Sequence, residues 1–219
     1  MAPGTAFDGI PYAAADFYAR LEADNSREFW AANKDAYERD VRSPMTALMA
    51  ELEEDFGPAK IFRPNRDVRF SGDKSPYKTH QGGYVPVAPR TGWYAEVSAD
   101  GFRLGAGSYH LEPAPLAAYR TAVDSPRGGE LEAILDTLRE QGWAIDGDRV
   151  ATAPRGWKRD HPRIELLRLK NISAMRWIED GDVVTTPALV AEVRTLWEQV
   201  RPLVEWLGLI VSEPATEPS

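Results

Sequence analysis

Between Arg63 and His80 the chain sets five cations (Arg63, Arg66, Arg69, Lys74 and Lys78), two carboxylates (Asp67 and Asp73) and one imidazole within eighteen residues. Guanidinium and ammonium groups at this density have two uses. They bind an anion, where arginine forks match phosphate or carboxylate geometry, or they pair with carboxylates inside the fold. On the first reading Arg66, Arg69, Lys74, Tyr77 and Lys78 contact a ligand, and Asp67, Asp73 or His80 accepts a proton. On the second, Arg–Asp pairs tie a loop to its scaffold. An extended run from Arg66 to Phe70 would place Asp67 and Arg69 on one face, where they can pair with each other.

The rest of the chain makes this stretch conspicuous. The net charge is -8, yet residues 60–80 carry +4 and residues 154–176 carry +5, against -7 for 1–59, -4 for 81–153 and -6 for 177–219. The second basic island, Arg155-Gly-Trp157-Lys158-Arg159-Asp160-His161, precedes a helix expected to start at Pro162. Lys158, Arg159 and His161 are candidate anion contacts there, and Asp160 reads as that helix's cap. The two islands are expected to converge on one anion-binding cleft.

Several chemistries are excluded or weakened. There is no cysteine, which removes disulfides, thiolate metal sites and thiol nucleophiles. The three histidines are scattered, so no metal is expected. Gly72-Asp-Lys74-Ser75 resembles the end of a phosphate loop, but Asp67 stands where the first glycine belongs and Pro76 follows at once. Gly101, Gly105 and Gly107 fall inside a predicted hairpin and make no dinucleotide fingerprint; no Gly-x-Ser-x-Gly elbow is present. The overall acidity argues against DNA, no apolar run suits a membrane helix, and residues 1–7 lack the pattern of a signal peptide. A cytoplasmic, soluble protein is expected.

The positioning elements read as α+β: an antiparallel sheet covered by helices, with helical N- and C-terminal segments. Pro11 opens a helix with Ala14, Phe17, Tyr18 and Leu21 on one face. Asn25-Ser26 caps a second, and Ser43-Pro44 is expected to cap a separate third that Gly57-Pro58 ends. Residues 82–88, 93–98 and 102–107 read as strands, with Ala99-Asp100-Gly101 a hairpin turn. Helices are expected over 116–123 and 130–141, and Asp146-Gly147 marks a second hairpin. A short helix follows Pro162, then a strand over 172–179 and a long helix after Thr186-Pro187 that Pro202 should break. Residues 1–211 are expected to form a single domain, and 212–219 a disordered tail. Phe29, Trp30, Tyr37, Trp197 and Trp206 read as core, while Asn33 and Lys34 can reach a site.

Four segments carry a resemblance. They are Asn25-Ser-Arg-Glu-Phe-Trp30 with Asn33, Lys34 and Tyr37; Arg66 through Thr79; Gly105-Ala-Gly107; and Pro154-Arg-Gly156 through Asp160-His161-Pro162 to Lys170. Together they resemble the family known as domain of unknown function 2461, with Phe29-Trp30 in place of that family's usual Trp-Phe. The resemblance implies one conserved unit across nearly the whole chain. It brings no activity and no catalytic residues.

Three functions fit these residues. The first is binding of, or catalysis on, a small phosphorylated or carboxylated ligand, with Arg66, Arg69 and Lys78 holding the anion and Asp67 or His80 as base. The second is an interaction module gripping an acidic protein partner or RNA through the same patch. In the third, the islands are structural. The patterns specify no cofactor and no oligomeric state.

Overall fold

The computed structural model describes residues 6–67, 72 and 74–212. Helix α1, Tyr12–Ala23, starts behind Pro11 and buries Ala14, Phe17, Tyr18 and Leu21, the face that the spacing predicts. Helix α2, Arg27–Tyr37, is capped by Ser26, whose hydroxyl accepts from the Phe29 N–H at 3.0 Å.

The expected break at Ser43-Pro44 does not occur. Helix α2 continues through one π-helical turn, Glu38–Arg42, into α3, Ser43–Glu51. The Ser43 N–H reaches back five residues to the Glu38 carbonyl. Widening at this turn accommodates Pro44, which has no N–H to donate and would crowd the preceding turn of a regular helix. Helix α4, Glu53–Phe56, ends at Gly57 with φ of +99°, as the Gly-Pro pair predicts.

Strands β1 (Lys60–Ile61), β2 (His80–Ala88), β3 (Thr91–Ser98) and β4 (Gly101–Ser108) follow. Gly101 takes φ of +116° in the β3–β4 turn, where a side chain would be strained. Helices α5 (Pro113–Val123) and α6 (Pro126–Glu140) lead to β5, Ala144–Asp146. The hairpin expected at Asp146-Gly147 is absent. Strand β5 instead pairs antiparallel with β6, Ile172–Ile178, matching Ala144 to Met175, so residues 147–171 intervene. Helix α7, Ile164–Leu167, lies within that excursion and α8, Gly181–Val184, follows β6.

Helix α9, Ala188–Ser212, passes through Pro202 without the expected break. The proline costs about 3 kcal/mol in a helix interior. Trp197, Val200, Leu203, Val204 and Leu207 are all fully buried around it, and each contributes about 1.5–3 kcal/mol, so packing outweighs the lost bond. Residue 212 closes α9, and 213–219 of the expected tail lie outside the described residues.

The strands form one six-stranded antiparallel sheet, in the order β1-β2-β3-β4-β6-β5, accompanied by helices. The fold is thus α+β, with helical segments at both ends of the described chain. The residues group into two compact units. One comprises the chain up to Val85 with Tyr94–Leu104 and Trp177–Leu196; the other comprises Pro86–Trp93, Gly105–Arg176 and the chain from Trp197.

The first unit contains the main basic island and a ring cluster from α1 and α2. Phe17 meets Trp30 edge-on at 5.9 Å, and Trp30 packs on Tyr37 at 4.8 Å. The other partner of Trp30 is Tyr77, stacked 4.2 Å away at the far end of the island. Asn25 clamps the same residue through its backbone, donating to the Tyr77 carbonyl at 3.0 Å and accepting from the Tyr77 N–H at 3.1 Å. Backbone bonds from Arg66 to Pro76 and from Lys78 to Pro64 then hold the island's two ends together around the Asn65–Tyr77 bridge. The second unit is built on Trp93, Tyr119, Leu131, Leu135, Trp143, Ile172 and Trp197, all buried.

Asn25→Ala removes both side-chain bonds to Tyr77, each worth about 1 kcal/mol. Urea unfolding should show a loss of about 1–2 kcal/mol, and the Tyr77 amide should lose hydrogen-exchange protection.

Candidate functional site

Alternation along the first unit's strands places His80, Gly82 and Tyr84 of β2, Tyr94 and Glu96 of β3, and Arg103 of β4 on the face opposite Val85, Ala95, Val97, Phe102 and Leu104. The latter five are almost wholly buried. The former face carries the polar groups. A Cβ on Gly82 would come within 2.8 Å of the Tyr94 ring, so the glycine lets that ring lie flat on the strand.

Glu96 is the buried charge of this face, only 3% exposed. Both of its oxygens are taken: the Tyr94 hydroxyl donates to Oε2 at 2.5 Å and Arg103 Nε donates to Oε1 at 2.8 Å. Burial and the neighbouring carboxylate hold the Tyr94 phenol well above its usual range, so it stays a donor. The Arg103 guanidinium lies 5.2 Å over the ring of Trp177. Sequence reasoning missed Glu96 and Arg103. The signal was available, because a two-residue turn at Ala99-Asp100 pairs position 96 with position 103 across the hairpin.

His80 is half-buried on this face. Burial pushes its pKa below the ordinary 6.5, and Lys78, Arg103 and Arg66 push in the same direction, while Glu96 opposes them. Lys78 sits 5.0 Å over the Phe62 ring. Burial again lowers its pKa, followed by the charges of Arg63, Arg66 and Lys60. With Arg63 and Lys60 acting in turn on Lys78, the arrangement therefore sets Lys78, Arg103 and Arg66 about an imidazole that is neutral at pH 7. Such a group accepts a proton, and the surrounding cations favour negative charge on whatever lies against them.

Of the other predicted residues here, Arg66 is half-buried, and Asp67 and Lys74 are exposed. Tyr77 is buried, and its ring and backbone serve as the anchor described above. Arg69 and Asp73 lie outside the described residues. Arg63, one of the island's five cations, and Lys60, which was not singled out from the sequence, also act on Lys78. Asn33 instead joins α2 to α1, donating to the Phe29 carbonyl of its own helix and accepting from Arg20 of α1.

The second island belongs to the second unit and is organised differently. Asp124 accepts from Trp157 Nε1 at 3.0 Å and from His161 Nε2 at 2.8 Å, and these two bonds lower its pKa. His161 Nδ1 accepts from the Arg163 N–H at 3.0 Å, so both ring nitrogens have partners within the unit. Arg163 binds Glu132 at 2.7 Å and the carbonyls of Val123 and Ser125, which closes the end of α5. Arg168 likewise donates to the Val150 and Ala151 carbonyls. Lys158 and Arg159 are exposed. The cap expected from Asp160 is not formed: α7 begins at Ile164, behind Arg163, with no side-chain cap.

Among the described residues no group of three or more acidic or histidine side chains is placed to hold a metal, and no helix is long and apolar enough to cross a membrane. Residues 13–206 match the family model described as "Conserved hypothetical protein (DUF2461)", and the chain belongs to that family. No curated protein and no solved structure matches the chain.

The depressed His80 pKa has a definite sign in stability. Burial favours the neutral ring, so its contribution is fully present above about 6.5, the unfolded value, and is lost as pH falls through the folded pKa. An NMR titration should place the His80 midpoint below 6.5, and Arg103→Met, which removes one of the cations acting on it, should move that midpoint upward. A wild-type midpoint at or above 6.5 would contradict this electrostatic assignment.

Proposed function

We propose that this member of the DUF2461 family binds a small phosphorylated or carboxylated molecule through the cationic cluster of its first unit, and that His80 is the group able to take a proton from the ligand or from water. The carrying observation is the grouping of Lys60, Arg63 and Arg66 around Lys78, beside His80. Like charges held this close raise one another's cost, and a bound anion relieves all of them at once. The Phe62 ring beneath Lys78 restricts the ammonium to one side, where it can meet a ligand.

Glu96 supports the site from below. With both oxygens engaged it is not itself the base, and it fixes Arg103 at the edge of the cluster. Arg66, Lys74, Lys78 and the guanidinium of Arg69 are the direct contacts on this reading, with Tyr77 holding the loop that presents them. Asp73 and Asp67 stand as further proton acceptors from the sequence. For the island at 154–176 the bonds made by His161, Arg163 and Arg168 favour a structural role, which leaves Lys158 and Arg159 as its outward-facing cations.

Isothermal titration against inorganic phosphate, pyrophosphate and a sugar-phosphate panel tests the reading. At least one compound should bind, Lys78→Ala should weaken it about tenfold, equivalent to about 1.4 kcal/mol, and binding should raise the His80 pKa because the anion favours the imidazolium. A blank panel, or binding untouched by Lys78→Ala and Arg66→Ala, would refute it. Preference for an acidic polymer with a steep salt dependence would point to the partner-gripping alternative.

A further inference from the structure

The first unit also holds a cavity of about 470 Å³, within the range of small-molecule sites, whose chemistry is opposite to that of the cationic cluster. Its walls come from the start of α1, the β3–β4 turn, the end of β6 and α8. Ile10, Val97 and Phe102, each at most 2% exposed, make an apolar floor. Tyr12 and Trp177 stand at its sides, 64% and 41% exposed. The described residues contain only five exposed large apolar side chains, and two of them line this one cavity. Exposed rings cost little when scattered, but paired rings beside an apolar floor mark a surface that gains by being covered.

Charge decides what covers it. Asp100 and Glu179 line the cavity, and no lysine, arginine or histidine does. Neither carboxylate makes an ion pair among the described residues, whereas the adjacent Asp180 is used up in capping α8. An anion is repelled by such a site. A metal ion finds two carboxylates and apolar walls rather than an oxygen shell, and no three-residue metal group exists among the described residues. A wholly apolar molecule would leave the carboxylates without use. A cation with an apolar surround satisfies every wall, since ring faces attract it through their quadrupoles and the carboxylates through their charge.

The walls are also held in place before any ligand arrives. The Ile10 N–H donates to the Val184 carbonyl at 2.9 Å. Gly9, at φ of +108°, lies so close to Thr185 that a Cβ there would be 2.2 Å from its carbonyl carbon. Trp177 is oriented on its own account by the Arg103 guanidinium. A preformed aromatic site loses less entropy on binding than one assembled around its ligand.

We propose that this cavity binds an organic ammonium cation carrying apolar substituents, a methylated or alkylated amine, with Tyr12 and Trp177 as the ring contacts and Asp100 and Glu179 as the counter-charges. The amine can be a free molecule or the side chain of a methylated lysine in a peptide, since both present the same group.

The test uses the full chain and follows the Trp177 indole N–H cross-peak by NMR, assigned by its loss in Trp177→Phe. Choline should shift it saturably with a Kd on the order of 1–10 mM, and its uncharged carbon isostere 3,3-dimethylbutan-1-ol should bind at least about tenfold more weakly. The double variant Asp100→Asn/Glu179→Gln should remove most of that preference. Tyr12→Ala, a change at an exposed side chain, should weaken choline several-fold with the fold intact by far-ultraviolet circular dichroism. A peptide bearing trimethyllysine that binds at least about tenfold better than choline identifies a protein source, and equal affinity identifies a free amine. Equal binding of choline and its isostere, or no saturable shift with either choline or the peptide, overturns the proposal.

Discussion

A carboxylate placed almost out of reach of solvent must be supplied with partners, and Glu96 sets that requirement for the first unit. Its two oxygens need two donors of fixed direction, which come from Tyr94 two residues away on the same strand and from Arg103 across the hairpin. Meeting the requirement fixes other choices. Tyr94 lies across Gly82, where any side chain would collide with the ring. Arg103 is held over Trp177, and the charge of Glu96 opposes the cations around His80. A charged residue in this position is costly compared with an apolar one, so its retention makes sense as a device that orders a polar sheet face rather than as a source of stability.

The two basic islands show how similar composition leads to different physics. In residues 154–176 Arg163 and Arg168 reach backbone carbonyls and carboxylates, and His161 spends both nitrogens locally. Lys158 and Arg159, by contrast, face outward. Around Lys78 the neighbours that act most strongly after burial are other cations. Folding has brought like charges together there, against their mutual repulsion, on a loop tied down by the Asn25 clamp and the Trp30 stack.

Local signals proved legible where one residue type dominates the backbone. Pro11, Ser26, Gly57 and the Ala99-Asp100-Gly101 turn mark the ends of their elements, and the α1 core face was readable from spacing alone. Proline misled twice. Pro44 and Pro202 each sit inside continuous helix because a π-turn in one case and a heavily apolar face in the other compensate for the missing donor. The partner of β5 was not legible, since Asp146-Gly147 carries a strong turn signal while the pairing is decided by a strand that begins 25 residues further on, after the excursion 147–171. The basic island could be located from charge alone. Its connection to Glu96 and Arg103 could not, because those residues look ordinary until the hairpin register is applied.

Trp177 then links the two chemistries of the first unit. One guanidinium rests against its ring, and the same side chain forms a wall of the acidic, aromatic cavity. Arg103 is bound at its other end to Glu96, which is among the groups that set the charge state of His80. The path from cavity to cluster is thus Trp177, Arg103, Glu96, His80, with a stacking contact, a charge-assisted hydrogen bond and a through-space interaction as its three steps. Spatial continuity of this kind establishes no coupling by itself, because coupling needs an element with two arrangements that both sites bias. The candidate for such an element is the Arg103 side chain, about one-third exposed, whose guanidinium must choose between the Trp177 face and solvent while Glu96 holds its Nε. A cation entering the cavity competes with Arg103 for the electron density of the same ring, so occupancy there would be felt first as a weakened hold on the guanidinium, and only through it at His80.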